Sequence, residues 1–500
     1  MSQNSAAAYD QLPYPRLAHH YSHPDRLAVL GKLFGLNPPN VATARMLELG
    51  CASGANLVPL AHTLPEAEFV GVDLSARQIG EAQALATAAG VTNVKLVELD
   101  LLELAEQFGR FDYVIAHGVY SWVPAAVREK VLEIVGRVLT EQGVAYVSYN
   151  AYPGGRLRQM VREMALFHAR AISDPAEKAA QTRAFVRFLC ETSPVKERAY
   201  GSVLRSQLQV LERMADSGLV HEFLEADNQN VFFSQVVDHA ARNGLRYLTE
   251  ATFLDRLAAA AGPEILAELR AQTDEIDFEQ YLDFVHGQAF RRTILCRKSA
   301  PVCHDVQVGA VEQMWIASSA RPEGALDASA LRSQKPVGFV TDYEQKFVLG
   351  APLAKSAWLR LGEIYPAAMC FPDLVTAAEV TLGRKPTLDD RAGLIQELLG
   401  QFMLGRETVE LSTVRPPVAT APGERPYVSP IARYQAAQGW PLVSLLHQMV
   451  SLPPELQTLL PLIDGSRDGT ELLAAWQGAH GRPELDAALA RLARRGLLVS

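Results

Sequence analysis

Along residues 1–155 short apolar runs alternate with stretches whose apolar positions recur at helical spacing. Arg45–Leu49, Phe69–Asp73, Val94–Leu99, Phe111–His117 and Val144–Asn150 predict strands, and Gly54–Thr63, Ser75–Ala89 and Ala125–Leu139 predict helices between them. This alternation implies an α/β fold, a parallel sheet covered by helices on both faces. Ligands of such sheets bind outside the carboxyl ends of the strands. From 156 to 310 the pattern turns mainly helical, broken at Asp174-Pro175, Ser193-Pro194 and Gly262-Pro263, with Phe232–Leu248 as a compact amphipathic helix. Segment 311–412 reads as a short strand (Gln345–Leu349), three helices and a returning strand (Thr408–Leu411), the order of a winged-helix unit. Residues 413–432 hold Pro416, Pro417, Pro422, Pro426 and Pro430 and read as a linker. The final segment, 433–500, pairs helices with a Leu-rich end and reads as a degenerate copy of the preceding unit.

The sharpest chemical signal is Leu47-Glu48-Leu49-Gly50-Cys51-Ala52-Ser53-Gly54-Ala55-Asn56, which leaves a strand and enters a helix. A pyrophosphate-binding turn wants Gly-x-Gly-x-x-Gly; here Ala52 and Ala55 occupy the second and third glycine positions. A ligand without phosphate relaxes that demand, and S-adenosylmethionine is such a ligand. Its ribose needs a hydrogen-bond acceptor, and Asp73 at the end of the next strand supplies one, followed by Leu74. Asp100, followed by Leu101, puts a further carboxylate at the third strand end, where an adenine amino group would lie. Asp73 alone equally fits a cap on the helix beginning near Ser75. Three such elements at consecutive strand ends, in order, favour a nucleotide-like ligand. Two aromatic clusters reach the same edge: His117, Tyr120 and Trp122 after the fourth strand, and Tyr149, Asn150 and Tyr152 after the fifth. Aromatic faces can hold a sulfonium cation, and they can equally seal a junction to a neighbouring domain.

Composition narrows the class. Of 500 residues 48% are hydrophobic and 21% charged, which excludes a mainly disordered chain. A net charge of −9 gives no reason to expect nucleic acid as a partner. No run reaches the roughly 18 apolar residues of a membrane helix, and Met1–Asp10 is too polar for a signal peptide. Five cysteines without Cys-x-x-Cys spacing fit a reducing cytoplasm. His19, His20 and His23 lack a nearby acidic or thiol set, so no metal is expected. Region 351–411 has six basic against eight acidic residues, so its winged-helix order points to substrate docking or self-association, a homodimer included, rather than to DNA.

The chain resembles the class I S-adenosylmethionine-dependent methyltransferases. Over nearly its whole length it is similar to bacterial proteins that join such a core to a methyltransferase regulatory domain and winged-helix C-terminal modules, among them rickettsial protein-lysine methyltransferases. The residues that carry the resemblance are Tyr9-Asp10, Tyr14-Pro15, His23–Leu27, Glu48–Asn56, His117–Pro124, Tyr149–Gly154, His221–Glu225, Asn228–Asn230 and Phe290–Cys296. It implies a methyltransferase core at 1–155, a regulatory domain at 156–310 and S-adenosylmethionine contacts from Glu48, Gly50, Cys51, Ala52, Gly54, Asp73, Leu74, Asp100, Leu101 and His117. Tyr14, Tyr120, Trp122 and Tyr152 are candidates for the substrate side. His117, Tyr120, Tyr149 and Asn150 are candidates for catalysis.

The expected reaction is methylation of protein lysine side chains. A lysine amine, pKa about 10.4 in water, must lose its proton before attack. His117 either takes that proton or merely lines the pocket. The fourth-strand end lacks the Asn/Asp-Pro-Pro-Tyr run of exocyclic-amine methylases, which argues against adenine or glutamine-amide acceptors. A small-molecule O- or N-methyltransferase and a non-catalytic cofactor-sensing regulator stay open as alternatives.

Overall fold

A computed structural model describes residues 14–104, 108–225, 227–253, 262–405, 407–476 and 481–499; the Tyr9-Asp10 pair lies outside them. The strands β1 (Arg45–Leu49), β2 (Glu68–Asp73), β3 (Val94–Glu98), β4 (Phe111–Ala116), β5 (Leu139–Asn150), β6 (Leu245–Glu250) and β7 (Phe290–Arg297) form one sheet in the order β3-β2-β1-β4-β5-β7-β6. The first five are parallel, and β7 runs antiparallel to both β5 and β6. Helices α1 (Pro24–Leu33), α2 (Leu57–Thr63), α3 (Ala76–Ala88) and α4 (Ala125–Val138) cover it. Successive residues of β4 alternate between two cores. Tyr113 and Ile115 join Leu27, Leu30 and Leu60, while Val114 and Ala116 join Val127, Val131 and Val135. Both faces of β4 are therefore apolar, as buried parallel strands require, and its one charged side chain, Asp112, lies near its start.

The sheet does not stop at residue 155. The region that reads as helical contributes β6 and β7. The amphipathic helix expected to run to Leu248 ends at Arg242, because Gly244 turns the chain with φ 72° into β6. β7 is hidden in the sequence by the adjacent Arg291 and Arg292. Arg291 is 1% exposed, its Nε donating to Asp283 Oδ1 (2.9 Å) and its Nη1 to Glu250 Oε1 (2.9 Å). Two distant carboxylates make an arginine admissible inside the sheet.

The 311–412 region has the expected helices, Pro352–Ile364, Phe371–Leu382 and Leu388–Met403. Its strands pair differently from a simple return. Lys346–Leu349 forms a hairpin with Val337–Val340, whereas Glu410–Ser412 pairs with Trp315–Ala317. The proline-rich 413–432 stretch is docked rather than free. Val418 bridges to Val499 and Val428 to Leu498, Thr413 N donates to Asp25 Oδ1 (2.8 Å), and the helix Pro430–Ala437 begins inside it. Prolines remove donors but leave carbonyls and neighbouring valines able to pack. Among the described residues no helix is long and apolar enough to cross a membrane.

Candidate functional site

A cleft of about 1210 Å³ opens at the carboxyl ends of β1 to β4. Its floor is the turn after β1. Gly50 N and Cys51 N both donate to Val72 O (2.8 and 3.0 Å), which ties the turn to β2. Gly50 has φ 73°, and a Cβ there would lie 2.6 Å from Val119 Cγ2, so only glycine fits. Ala52 is also left-handed (φ 46°), an unfavourable conformation for a residue with a Cβ. What holds it is Asp73, whose Oδ2 accepts from Ala52 N (2.9 Å) and whose Oδ1 accepts from Ser75 N (3.0 Å). The cap of α3 is instead Ser75, which accepts from Gln78 N (3.1 Å). Asp73 thus braces the turn while lining the cleft. Asp100 Oδ1 accepts from Leu102 N (2.9 Å) and lines the cleft beside Leu101.

Glu48 is the most telling group. Its side chain is buried, and Asn56 Nδ2 donates to its Oε1 at 2.7 Å. Among the described residues its Oε2 is buried without a hydrogen-bond partner. Burial pushes this carboxyl up to about 8, against the Asn56 hydrogen bond, and the nearby Asp73 charge adds to the rise. A buried carboxylate oxygen lacking a donor is costly, and it fits the α-ammonium of an amino-acid ligand. Asn56 is itself a hub. Its Oδ1 accepts from His19 N (2.9 Å) and lies 2.8 Å from Nε2 of the buried His447, far along the chain.

His117 closes the cleft beyond β4. Its ring stacks on His19 with centroids 3.5 Å apart and 22° between planes, and its Nδ1 lies 3.0 Å from Tyr146 Oη. Burial, the His19 ring and the Arg292 charge together hold its pKa well below the usual histidine range. His19 is pushed down to about 4 by burial and Arg292. Lowered basicity makes His117 a poor proton acceptor and suits it to be a wall of the cleft. The other two histidines of the N-terminal trio diverge from it. His20 Nε2 pairs with Glu410 Oε1 at 3.3 Å, and His23 Nδ1 accepts from Asp25 N at 3.1 Å to cap α1.

Of the residues expected at the site, Glu48, Gly50, Cys51, Ala52, Asp73, Leu74, Asp100, Leu101, His117, Tyr14 and Trp122 line one cleft. Gly54 does not; its left-handed backbone lets α2 approach α3, where a Cβ would meet Ala82 Cβ at 2.8 Å. Tyr120 is buried with its Oη 2.9 Å from His239 Nδ1, and Tyr149 with its Oη 2.8 Å from Thr293 Oγ1. Asn150 Nδ2 donates to Asn228 Oδ1 (3.3 Å), and Tyr152 packs on Phe232 with centroids 5.1 Å apart. These four lie outside the cleft, sealing β5 to the helical region. Sequence reasoning missed His19, Asn56, Gln78 and His221 as lining residues. Asn56 carried a signal, as the residue that ends the turn motif and opens α2, and His221 carried one as the start of the His221–Glu225 run.

Three protein-family models match the sequence: "Methyltransferase domain" over 46–143, "Predicted methyltransferase regulatory domain" over 215–297 and "PKMT, C-terminal winged helix domain" over 424–492. The winged-helix match thus falls on the 433–500 module expected to be winged-helix-like, and it begins earlier, inside the proline-rich stretch expected to be a linker. The chain is 28% identical to the uncharacterized protein RP789 of Rickettsia prowazekii, over 95% of this chain and 87% of that one. It is 35% identical to RP028 of the same organism, over 50% of this chain and 99% of that one. Among solved structures, PKMT2 from Rickettsia typhi in complex with AdoHcy is similar at a TM-score of 0.87 and 26% identity, covering 98% of this chain and all of the other.

Proposed function

The chain belongs to the S-adenosylmethionine-dependent methyltransferases that join a class I core to a methyltransferase regulatory domain and a C-terminal winged-helix module, and from that premise we propose that it methylates lysine side chains of proteins. The observation that carries the lysine reading is the likeness to PKMT2, which spans the accessory regions as well as the core. Accessory mass on this scale favours a macromolecular acceptor over a small one, and a net charge of −9 disfavours nucleic acid.

Bound S-adenosylmethionine supplies a methyl on a positively charged sulfur that takes up the bonding pair as the methyl leaves. The protein's part is orientation, an acceptor lone pair held about 3–3.5 Å from the methyl carbon. Glu48 Oε2 would receive the ligand's α-ammonium, and the Gly50–Ala52 turn would hold its amino-acid portion. Asp73 would accept from the ribose hydroxyls and Asp100 from the adenine amino group, and Leu74 and Leu101 would hold the base. His117 borders the reacting end as a neutral, apolar-faced wall. Tyr14 and Trp122 remain the substrate-side candidates that share the cleft. A cytoplasmic location accords with this acceptor and with five free thiols among the cysteines.

Incubating the protein with methyl-labelled S-adenosylmethionine and a whole-cell lysate tests the substrate class. Label is expected in protein, released by acid hydrolysis as methyl-lysines. Label confined to nucleic acid, small molecules, carboxyl esters or methyl-arginine overturns the lysine assignment.

A further inference from the structure

Behind the His19–His117 pair lies a second cavity, of about 780 Å³. Both histidines line both spaces, so the stacked imidazoles are the boundary that cleft and cavity share. Its remaining walls include Tyr21, Tyr146, Tyr343, Arg292 and Glu407, drawn from five separate stretches of the chain.

The polar groups of these walls differ in how far they are engaged. Tyr146 Oη lies 3.0 Å from His117 Nδ1, and Tyr343 Oη donates to Gln448 Oε1 at 2.6 Å. The Arg292 guanidinium sits 5.0 Å from the Tyr21 ring centroid. Glu410, three residues from Glu407, is occupied: its Oε1 lies 3.3 Å from His20 Nε2 and its Oε2 4.0 Å from Arg26 Nη1. Glu407 differs. Its side chain is half-buried, and among the described residues it makes no close hydrogen bond or ion pair, interacting with His20, Arg26 and Glu410 only through their charges. Its backbone is left-handed (φ 61° is found at Glu344, 54° here), a conformation a glutamate adopts at a cost.

A half-buried carboxylate that feels the His20 and Arg26 charges while both pair with Glu410 instead, in a cavity walled by tyrosine rings, matches one ligand chemistry: an alkylammonium, drawn by the charge and by the ring faces. We propose that this cavity is the acceptor chamber, in which Glu407 receives the ammonium of a substrate lysine on its way to the His19–His117 wall. The proposal rests on the protein-lysine reading above. The two ends of the chamber then serve opposite protonation states. Glu407 favours the charged amine, whereas the Arg292 charge, which adds to burial in lowering the basicity of both histidines, disfavours a second cation beside them. An amine that travels from one to the other gives up its proton to solvent and arrives with a free lone pair.

The full-length protein and its Glu407→Gln variant are titrated by calorimetry with a blocked Gly-Ser-Lys-Ser-Gly peptide, with its norleucine counterpart, and separately with S-adenosylhomocysteine. The wild type is expected to prefer the lysine peptide, and the variant to lose that preference through a fall of about tenfold in lysine-peptide affinity, the size of one charge-assisted hydrogen bond. Unchanged S-adenosylhomocysteine affinity establishes that the variant is folded. A variant that keeps the full lysine preference, or a wild type that binds both peptides alike, overturns the chamber. If lysate proteins meanwhile carry enzyme-made methyl-lysine, the lysine reading stands without it; if they carry none, that reading falls as well.

Discussion

The cleft and the chamber share two histidines yet are built in opposite ways. The cleft's carboxylates, Glu48, Asp73 and Asp100, stand at or just inside consecutive ends of one sheet, and hydrogen bonds from the adjoining turns hold them. The chamber gathers Tyr21, Tyr146, Arg292, Tyr343 and Glu407 from elements that meet only when distant parts of the chain pack together. A site on strand ends inherits the rigidity of the ladder beneath it. One assembled by packing is as well defined as the contacts behind it, and those contacts are where it can be broken separately.

The largest effect is expected from Arg291→Met. Arg291 stands beside the chamber's Arg292 on β7, and its loss leaves Glu250 and Asp283 buried without their cation. Unmatched buried charges of this kind cost about 3–5 kcal/mol, so urea unfolding should show a loss of that size. A loss below about 1 kcal/mol contradicts the role given to the network. On the cleft side, Asp73→Ala should weaken S-adenosylmethionine binding by about 1–3 kcal/mol in calorimetry, while lysine-peptide binding stays as in the wild type. Unchanged cofactor affinity in the folded variant removes Asp73 from the site.

A subtler separation comes from protons. The Glu48 carboxyl is raised from 4.5 to about 8 by burial. Below pH 4.5 it is protonated folded and unfolded alike. Between 4.5 and about 8 only the folded, ligand-free protein keeps the proton, so this group's contribution to stability declines as pH rises through that window. A ligand ammonium at Oε2 favours the charged form. Cofactor binding at pH 7 should therefore release about one proton, seen as a dependence of binding heat on buffer ionisation. Glu48→Gln should abolish that release, and lysine-peptide binding should show none of it. The smallest effect is expected for Ala52→Gly, which relieves a left-handed alanine and should raise the unfolding free energy by less than about 1 kcal/mol. A measurable loss there means that the methyl packs favourably in the turn.

The same contrast explains what could be read without coordinates. Strands β1 to β4 and their terminal carboxylates follow from local periodicity, because each strand is a short apolar-rich run and each acid stands beside its own turn. β7 is not legible, since Arg291 belongs inside a sheet only in the company of Glu250 and Asp283, neither of them a local neighbour. Tyr120 and Tyr149 look like ligand contacts from their position after strands, but their hydroxyls are satisfied by His239 and Thr293 from the helical region and its sheet extension. Glu407 was invisible for the same reason. Nothing in Gly405–Glu410 as a string indicates that Tyr21 and Arg292 arrive beside it.

The central claim is that the cleft after β1 to β3 seats the cofactor through Glu48, Asp73 and Asp100. A crystal structure of the protein with S-adenosylhomocysteine tests it most directly. The account predicts ribose hydroxyls within hydrogen-bonding distance of Asp73 and the ligand's ammonium on Glu48 Oε2. Ligand bound elsewhere, or a Glu48 Oε2 still unpartnered in the complex, contradicts it.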